Sequence, residues 1–238
     1  MSIFKRKTKE ILIQKVEDFP AILDSTVVYF IDGKVDLGTR ELVVPEDGLV
    51  ITGHDYFISG LFSTEDNHNM FIDGAANYAG NLKLINIFIT SSGTSSKVFE
   101  LDNEENFGSI EFISCNIGDF SDTTTSLGDL ANYRQFRTQD CGLFRIQDGL
   151  LFTGTWAGGF RISETIILSQ AASSVVFKPG VGLTFGGRCL SDINAASIDP
   201  TIIVFDFVES NFLSDGGFQL IGASFVLNSN TSVTTPAS

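Results

Sequence analysis

The chain has 238 residues, of which 43% are hydrophobic and only 18% charged, with a formal net charge of −14. That composition supplies a sizeable core and excludes wholesale disorder, while the acidic balance opposes binding to nucleic acid or to an anionic membrane. No apolar run approaches transmembrane length and no apolar leader opens the chain, so neither membrane insertion nor signal-dependent export is expected.

Residues 1–26 read as a basic arm and a cap. Lys5, Arg6, Lys7 and Lys9 cluster in an otherwise acidic protein and suit docking to an acidic neighbour. Ile11-Leu12-Ile13 predicts a strand, and Val16 to Leu23, interrupted by Pro20, predicts a short helix or turn that closes one end of the body. Val27 to Ile31, Glu41 to Val44, Leu49 to Thr52 and Tyr56 to Ile58 predict short strands, each β-branched or aromatic and bounded by Gly, Asp or Pro.

Repetition is the most informative feature. Phe30-Ile31-Asp32-Gly33 recurs as Phe71-Ile72-Asp73-Gly74. A longer match sets Phe71 over Phe99 at a shift of 28, and without a gap places Gly80 over Gly108, Leu82 over Ile110, Leu84 over Phe112, Ile85 over Ile113 and Ile89 over Ile117. Lys83 then falls over Glu111 and Asn86 over Ser114. Gly159-Phe160-Arg161-Ile162 is a weaker echo, and Gly217 to Phe225 carries apolar residues in the pattern of Ile110, Phe112, Ile113 and Ile117.

Alternation along each phrase sends one set of side chains inward, and a lone strand pair cannot bury it. Stacking the next turn of chain on top does so, with like residues above like. The expectation is therefore an all-β solenoid over residues 27–227, with a β-sandwich or jelly roll as the alternative. An insertion is expected at about 118–142, with Leu127 to Arg137 as a short helix, and residues 228–238 form a polar C-terminal tail. The 22 Phe suit stacked interior positions, having no polar atom to satisfy. Cys115, Cys141 and Cys189 are isolated, odd in number and outside any Cys-x-x-Cys motif, which points to buried thiols in a reducing compartment and to neither a disulfide framework nor zinc.

Tyr29-Phe30-Ile31-Asp32-Gly33, Val35-Asp36-Leu37-Gly38, Val43-Val44-Pro45, Gly48 to His54 and Asn81 to Ile87 together resemble the opening coils of pectate-lyase-like right-handed parallel β-helix proteins, in particular the tail fibres, tailspikes and other appendages of tailed bacteriophages. The resemblance covers residues 27–117 well and the remainder loosely. It implies a right-handed β-helix, a homotrimer, contact with other virion proteins through the arm, assembly in the host cytoplasm into a virion, and a role in virion structure or host attachment.

Its motifs are architectural, and catalytic sets are missing. A glycoside hydrolase needs two carboxyls about 5 to 9 Å apart. The polygalacturonase-like β-helices carry Asp-Asp, Gly-His-Gly and Arg-x-Lys, of which Gly53-His54-Asp55 is the nearest fragment here. His54 reads as a turn residue and His68 as a polar loop residue. Asp102, Glu104 and Glu105 form the densest acidic group, most simply a solvated turn and secondarily a weak calcium site. No catalytic residue, metal or cofactor is assigned. Tyr133, Arg134 and Trp156 are the candidate ligand-binding residues, because exposed aromatics stack on sugar faces and Arg bridges hydroxyls or carboxylates of a host glycan. The reading is a non-enzymatic virion protein, with a polysaccharide depolymerase or lyase whose site lies between subunits, and a bacterial surface adhesin, as alternatives.

Overall fold

Val27-Val28-Tyr29-Phe30-Ile31 cannot bury every side chain of a helix on one face, but as a strand it sends Val27, Tyr29 and Ile31 inward and leaves Val28 and Phe30 half-buried outside. The same alternation recurs along the other long strands whose side chains are described, such as Leu49–Gly53 and Ser109–Ile113. The computed structural model describes residues 9–74, 80–102, 108–118 and 126–144, followed by the backbone of eleven further strands, with side chains described up to residue 142. The strands are β1 (Lys9–Ile13), β2 (Val27–Ile31), β3 (Lys34–Asp36), β4 (Leu42–Val43), β5 (Leu49–Gly53), β6 (Gly60–Ser63), β7 (Asn69–Ile72), β8 (Leu82–Ile85), β9 (Phe88–Ser91) and β10 (Lys97–Asp102). They continue as β11 (Ser109–Ile113), β12 (Asn116–Ile117), β13 (Ser126–Ala131), β14 (Gln135–Gln139), β15 (Gly142–Phe144) and β16 (Leu150–Thr153), and end with β26 (Ser232–Thr234). The one described helical segment is a single 3-10 turn, Val16–Asp18.

Three parallel sheets take the strands in strict rotation. The first runs β1-β2-β5-β8-β11-β14 and onward by threes to β26, the second begins β3-β6-β9-β12-β15, and the third begins β4-β7-β10-β13. Each circuit of chain thus visits the three sheets in the same order and lands one strand further along. Sandwiches and jelly rolls are antiparallel, and every described strand pair here is parallel, so that alternative is set aside.

The register confirms the shift of 28 residue by residue. Leu82 pairs with Ile110, Lys83 with Glu111, Leu84 with Phe112 and Ile85 with Ile113 in the first sheet. Ile89 pairs with Ile117 in the second and Phe71 with Phe99 in the third. Other circuits differ in length, since Val28 pairs with Val50, Val50 with Lys83 and Glu111 with Arg137. Strands are kept and corners vary.

Like residues consequently form interior columns: Leu49-Leu82-Ile110-Phe136 on the first sheet, Val35-Leu61-Ile89-Ile117 on the second and Leu42-Phe71-Phe99 on the third, all buried. Each such side chain contributes about 1.5 to 3 kcal/mol by leaving water. At the corner from first to second sheet, Asn86, Ser114 and Asp140 hold φ values of 53°, 50° and 53°. Left-handed backbone suits Asn and Asp, whose short polar side chains bond locally, and Ser114 Oγ donates to Asp140 Oδ2 at 3.1 Å.

The chain between β1 and β2 closes the interior at that end. Phe19 and Leu23 are buried, with the Phe19 ring 5.8 Å from Tyr29. The Asp24 N–H donates to the Tyr29 hydroxyl at 2.6 Å, while Arg40 donates to the Pro20 carbonyl and lies 5.7 Å over the Phe19 ring. At the far end of the same sheet Ser232–Thr234, within the polar tail, pairs with Asn211–Ser214.

Four sequence expectations are corrected. Residues 127–137 are not helical: they form β13 and β14, joined through Asn132 in left-handed backbone, so these residues of the expected insertion are rungs of the sheets. Tyr56 to Ile58 is a turn rather than a strand. The verbatim Phe-Ile-Asp-Gly repeat does not mark equivalent positions, for Phe30 faces outward on the first sheet and Phe71 inward on the third. The strand Phe218–Ile221 belongs to the second sheet, whereas Ile110 and Phe112 belong to the first. The weaker echo at Phe160 does hold, since Phe136 pairs with Phe160 in the first sheet.

Candidate functional site

The corner from first to second sheet takes two residues after β2, β8 and β11, but six after β5. The four additional residues, Asp55-Tyr56-Phe57-Ile58, project from the stack as a turn. Their conformation is fixed by Asp55, whose Oδ1 accepts from the N–H groups of Phe57 at 2.7 Å and Ile58 at 3.1 Å, as an Asx turn does. Asp55 also accepts at its carbonyl from Ser59 N–H at 2.9 Å. Buried Ser59 anchors the base: its Oγ accepts from His54 N–H at 2.9 Å and donates to the Ile31 carbonyl of the preceding circuit at 2.8 Å.

A turn so well tied displays what a soluble chain ordinarily hides. Phe57 is 74% exposed and Ile58 54% exposed, and the Tyr56 and Phe57 rings lie 4.5 Å apart. Beside them the His54 ring meets Phe30 edge-on at 4.7 Å, and His54 Nε2 stands 3.3 Å from Asp32 Oδ1. Asp32 Oδ2 accepts in turn from Gln14 Nε2 at 2.9 Å. Exposed Leu12 precedes Phe30 and Thr52 in the same outward column. The corner therefore offers an apolar knob on a rigid base, flanked by an imidazole N–H and a carboxylate. Such a set can hold a partner's apolar face and orient its polar groups.

Elsewhere on the outer faces Lys83 and Lys97 form ion pairs across neighbouring strands. Lys83 Nζ lies 2.5 Å from Glu111 Oε2, the pairing the shift of 28 predicts. Lys97 bridges Glu100 and Asp129, the latter at 2.6 Å. Burial opposes the Lys97 charge, but its hydrogen bonds to Asp129 and Glu100 outweigh that and hold its pKa above the ordinary value. Among the described residues no group of three or more His, Cys, Asp or Glu is arranged to hold a metal.

Of the residues singled out for ligand binding, Tyr133 and Arg134 are described, and of these two only Arg134 reaches the surface. Tyr133 is fully buried, and burial is the main cause pushing its phenol up, so the ring is a core element unavailable to stack on a sugar from outside. Arg134 is exposed, its backbone N–H donating to the Gly108 carbonyl at 2.8 Å. Trp156, Glu104 and Glu105 lie outside the described residues. His68, expected in a polar loop, is 5% exposed, with neither ring nitrogen hydrogen-bonded among the described residues. Sequence reasoning missed Phe57 and Ile58 because an apolar triplet reads as a strand. The available signal was length, since the circuit holding the turn is 33 residues from Val50 to Lys83, against 22 from Val28 to Val50. No protein-family model, curated protein or solved structure matches the chain.

Proposed function

We propose that the chain is a right-handed parallel β-helix protein of a tailed-bacteriophage virion, a homotrimeric fibre, spike or capsid appendage that takes part in host-surface attachment and is not an enzyme. The observation that carries this reading is the stacking of residues 71–89 on residues 99–117 in three parallel sheets. Right-handedness rests on the strong preference of parallel crossovers for that hand, in about 98% of cases. A rod of stacked circuits suits an appendage because stiffness follows from continuous backbone hydrogen bonding along the axis, while corners vary without disturbing the strands. The turn Asp55 to Ile58 is the contact element this architecture presents, and it replaces Tyr133 in that role. The described thiols, Cys115 and Cys141, are free and buried, as suits assembly in a reducing cytoplasm.

Light scattering on the purified full chain tests the assembly. The expected mass is three times 25.8 kDa; a stable monomer at micromolar concentration would remove the trimer and count against the appendage reading.

A further inference from the structure

Cys115 and Cys141 occupy one position on consecutive circuits. Each follows the left-handed corner residue, Ser114 or Asp140, and each thiol donates to the carbonyl two residues before it, Ile113 and Gln139, at 3.2 Å in both cases. The Gly142 N–H donates to the Cys115 carbonyl at 2.8 Å, and the Cys115 N–H reaches Cys141 Sγ at 3.5 Å, so the two are immediate neighbours along the stack. Adjacent strands run about 4.8 Å apart, inside the Cα separation of roughly 4.4 to 6.8 Å that a disulfide bridges. Both are free and buried.

We propose that Cys115 and Cys141 form a latent covalent staple between consecutive circuits, closed by thiol–disulfide exchange with a small-molecule disulfide of the glutathione class. The Cys141 thiolate attacks one sulfur of that disulfide, giving a mixed disulfide and releasing one small-molecule thiolate. The Cys115 thiolate then attacks the Cys141 sulfur, the new protein S–S bond forms, and the second small-molecule thiolate leaves. The two protons lost by the cysteines end on the two released thiols, and the reagent is reduced by the two electrons the protein gives up. Cys141 is the attacking member because it is the less buried of the two, and hydrogen bonding from Cys115, whose backbone N–H points at the Cys141 sulfur, lowers its pKa, whereas burial holds that of Cys115 well above the ordinary thiol value. The bond would lock neighbouring rungs once the chain leaves a reducing compartment, and the chemistry is independent of the virion assignment.

The test is incubation of the full native chain with oxidised glutathione at pH 8, followed by intact mass and non-reducing peptide mapping. The expected product has lost two hydrogens, links the peptides holding residues 115 and 141, and melts roughly 5 to 10 °C higher until reductant is added. Cys115→Ser, which keeps the attacking thiol, is expected to stop at one glutathione adduct on Cys141 with no such rise. A link through Cys189, links between chains, or two cysteines that remain reduced throughout would overturn the proposal. Cys189→Ser is expected to leave the cross-link unchanged, and loss of the cross-link in that variant would also count against it.

Discussion

Phe99 stacks on Phe112 with ring centroids 5.4 Å apart and planes 17° from parallel, although Phe99 belongs to the third sheet and Phe112 to the first. Phe71 continues the run at 5.5 Å from Phe99, and Phe136 at 5.6 Å from Phe112. The rings therefore bind neighbouring circuits and also tie two sheets across the interior. Removing one leaves a cavity that its neighbours cannot fill without breaking register. Phe99→Ala is expected to cost about 3 to 5 kcal/mol in urea unfolding. Phe57→Ala, on the exposed turn, is expected to stay within about 0.5 kcal/mol.

Gly128 marks a second tight place. Its φ is +82°, and a Cβ there would lie 1.9 Å from the Phe99 carbonyl oxygen on the neighbouring circuit. Gly128→Ala is expected to cost at least about 2 kcal/mol and to lower the soluble yield, because both the backbone angle and the neighbouring strand must shift. Gly74→Ala is the matched control: the nearest atom to its Cβ is Val43 Cγ1 at 3.8 Å. Thermal midpoints of the two variants check the contrast.

Alkaline pH should unfold the protein. Burial is the largest cause raising the pKa of Tyr29 and of Tyr133, and the Lys97 value is raised by its two carboxylate partners against the opposing effect of burial. A raised native value means that the folded chain holds the proton more tightly than the unfolded chain. That stability is fully present below the unfolded values, near pH 10 for Tyr and Lys, and is lost as pH rises through the native ones. The thermal midpoint is expected to fall above about pH 10, and Tyr133→Phe to flatten that fall. Phenolate absorbance from all four tyrosines in the folded protein near pH 10 would contradict the burial of Tyr29 and Tyr133.

The turn at Asp55 to Ile58 separates stability from recognition. Ser59→Ala removes the acceptor for His54 N–H and the donor to Ile31 O, and should cost about 1 to 3 kcal/mol. Replacing both Phe57 and Ile58 by Ser should leave the melting curve unchanged and reduce attachment of labelled protein to host cells at least tenfold. Equal attachment by the two proteins would move the contact surface elsewhere.

How much of this was legible depended on corner length. The circuits of residues 71–89 and 99–117 keep equal spacing between paired positions, so their columns align in sequence without a gap. Around Tyr56 the corner grows by four residues, and the alignment is lost although the strands are kept. In 127–137 the periodicity misled for a geometric reason. Leu127, Leu130, Tyr133 and Phe136 recur every three residues, as one helix face does, yet strand, three-residue corner and strand turn the same spacing inward. The Phe-Ile-Asp-Gly phrase misled for the opposite reason, since four residues fix a strand end but not the sheet it joins. Exposure of Phe57 depended on the tertiary anchor through Ser59, which local sequence does not encode.

The register of Lys83 against Glu111 can be measured directly. Lys83→Cys combined with Glu111→Cys is expected to form an outward cross-strand disulfide under mild oxidation, identified by peptide mapping. Lys83→Cys combined with Ser109→Cys or with Ile113→Cys, each displaced two residues along the strand, is expected to form little. Preferential linkage at 109 or 113, or no linkage to β11 at all, would contradict the stacking of consecutive circuits.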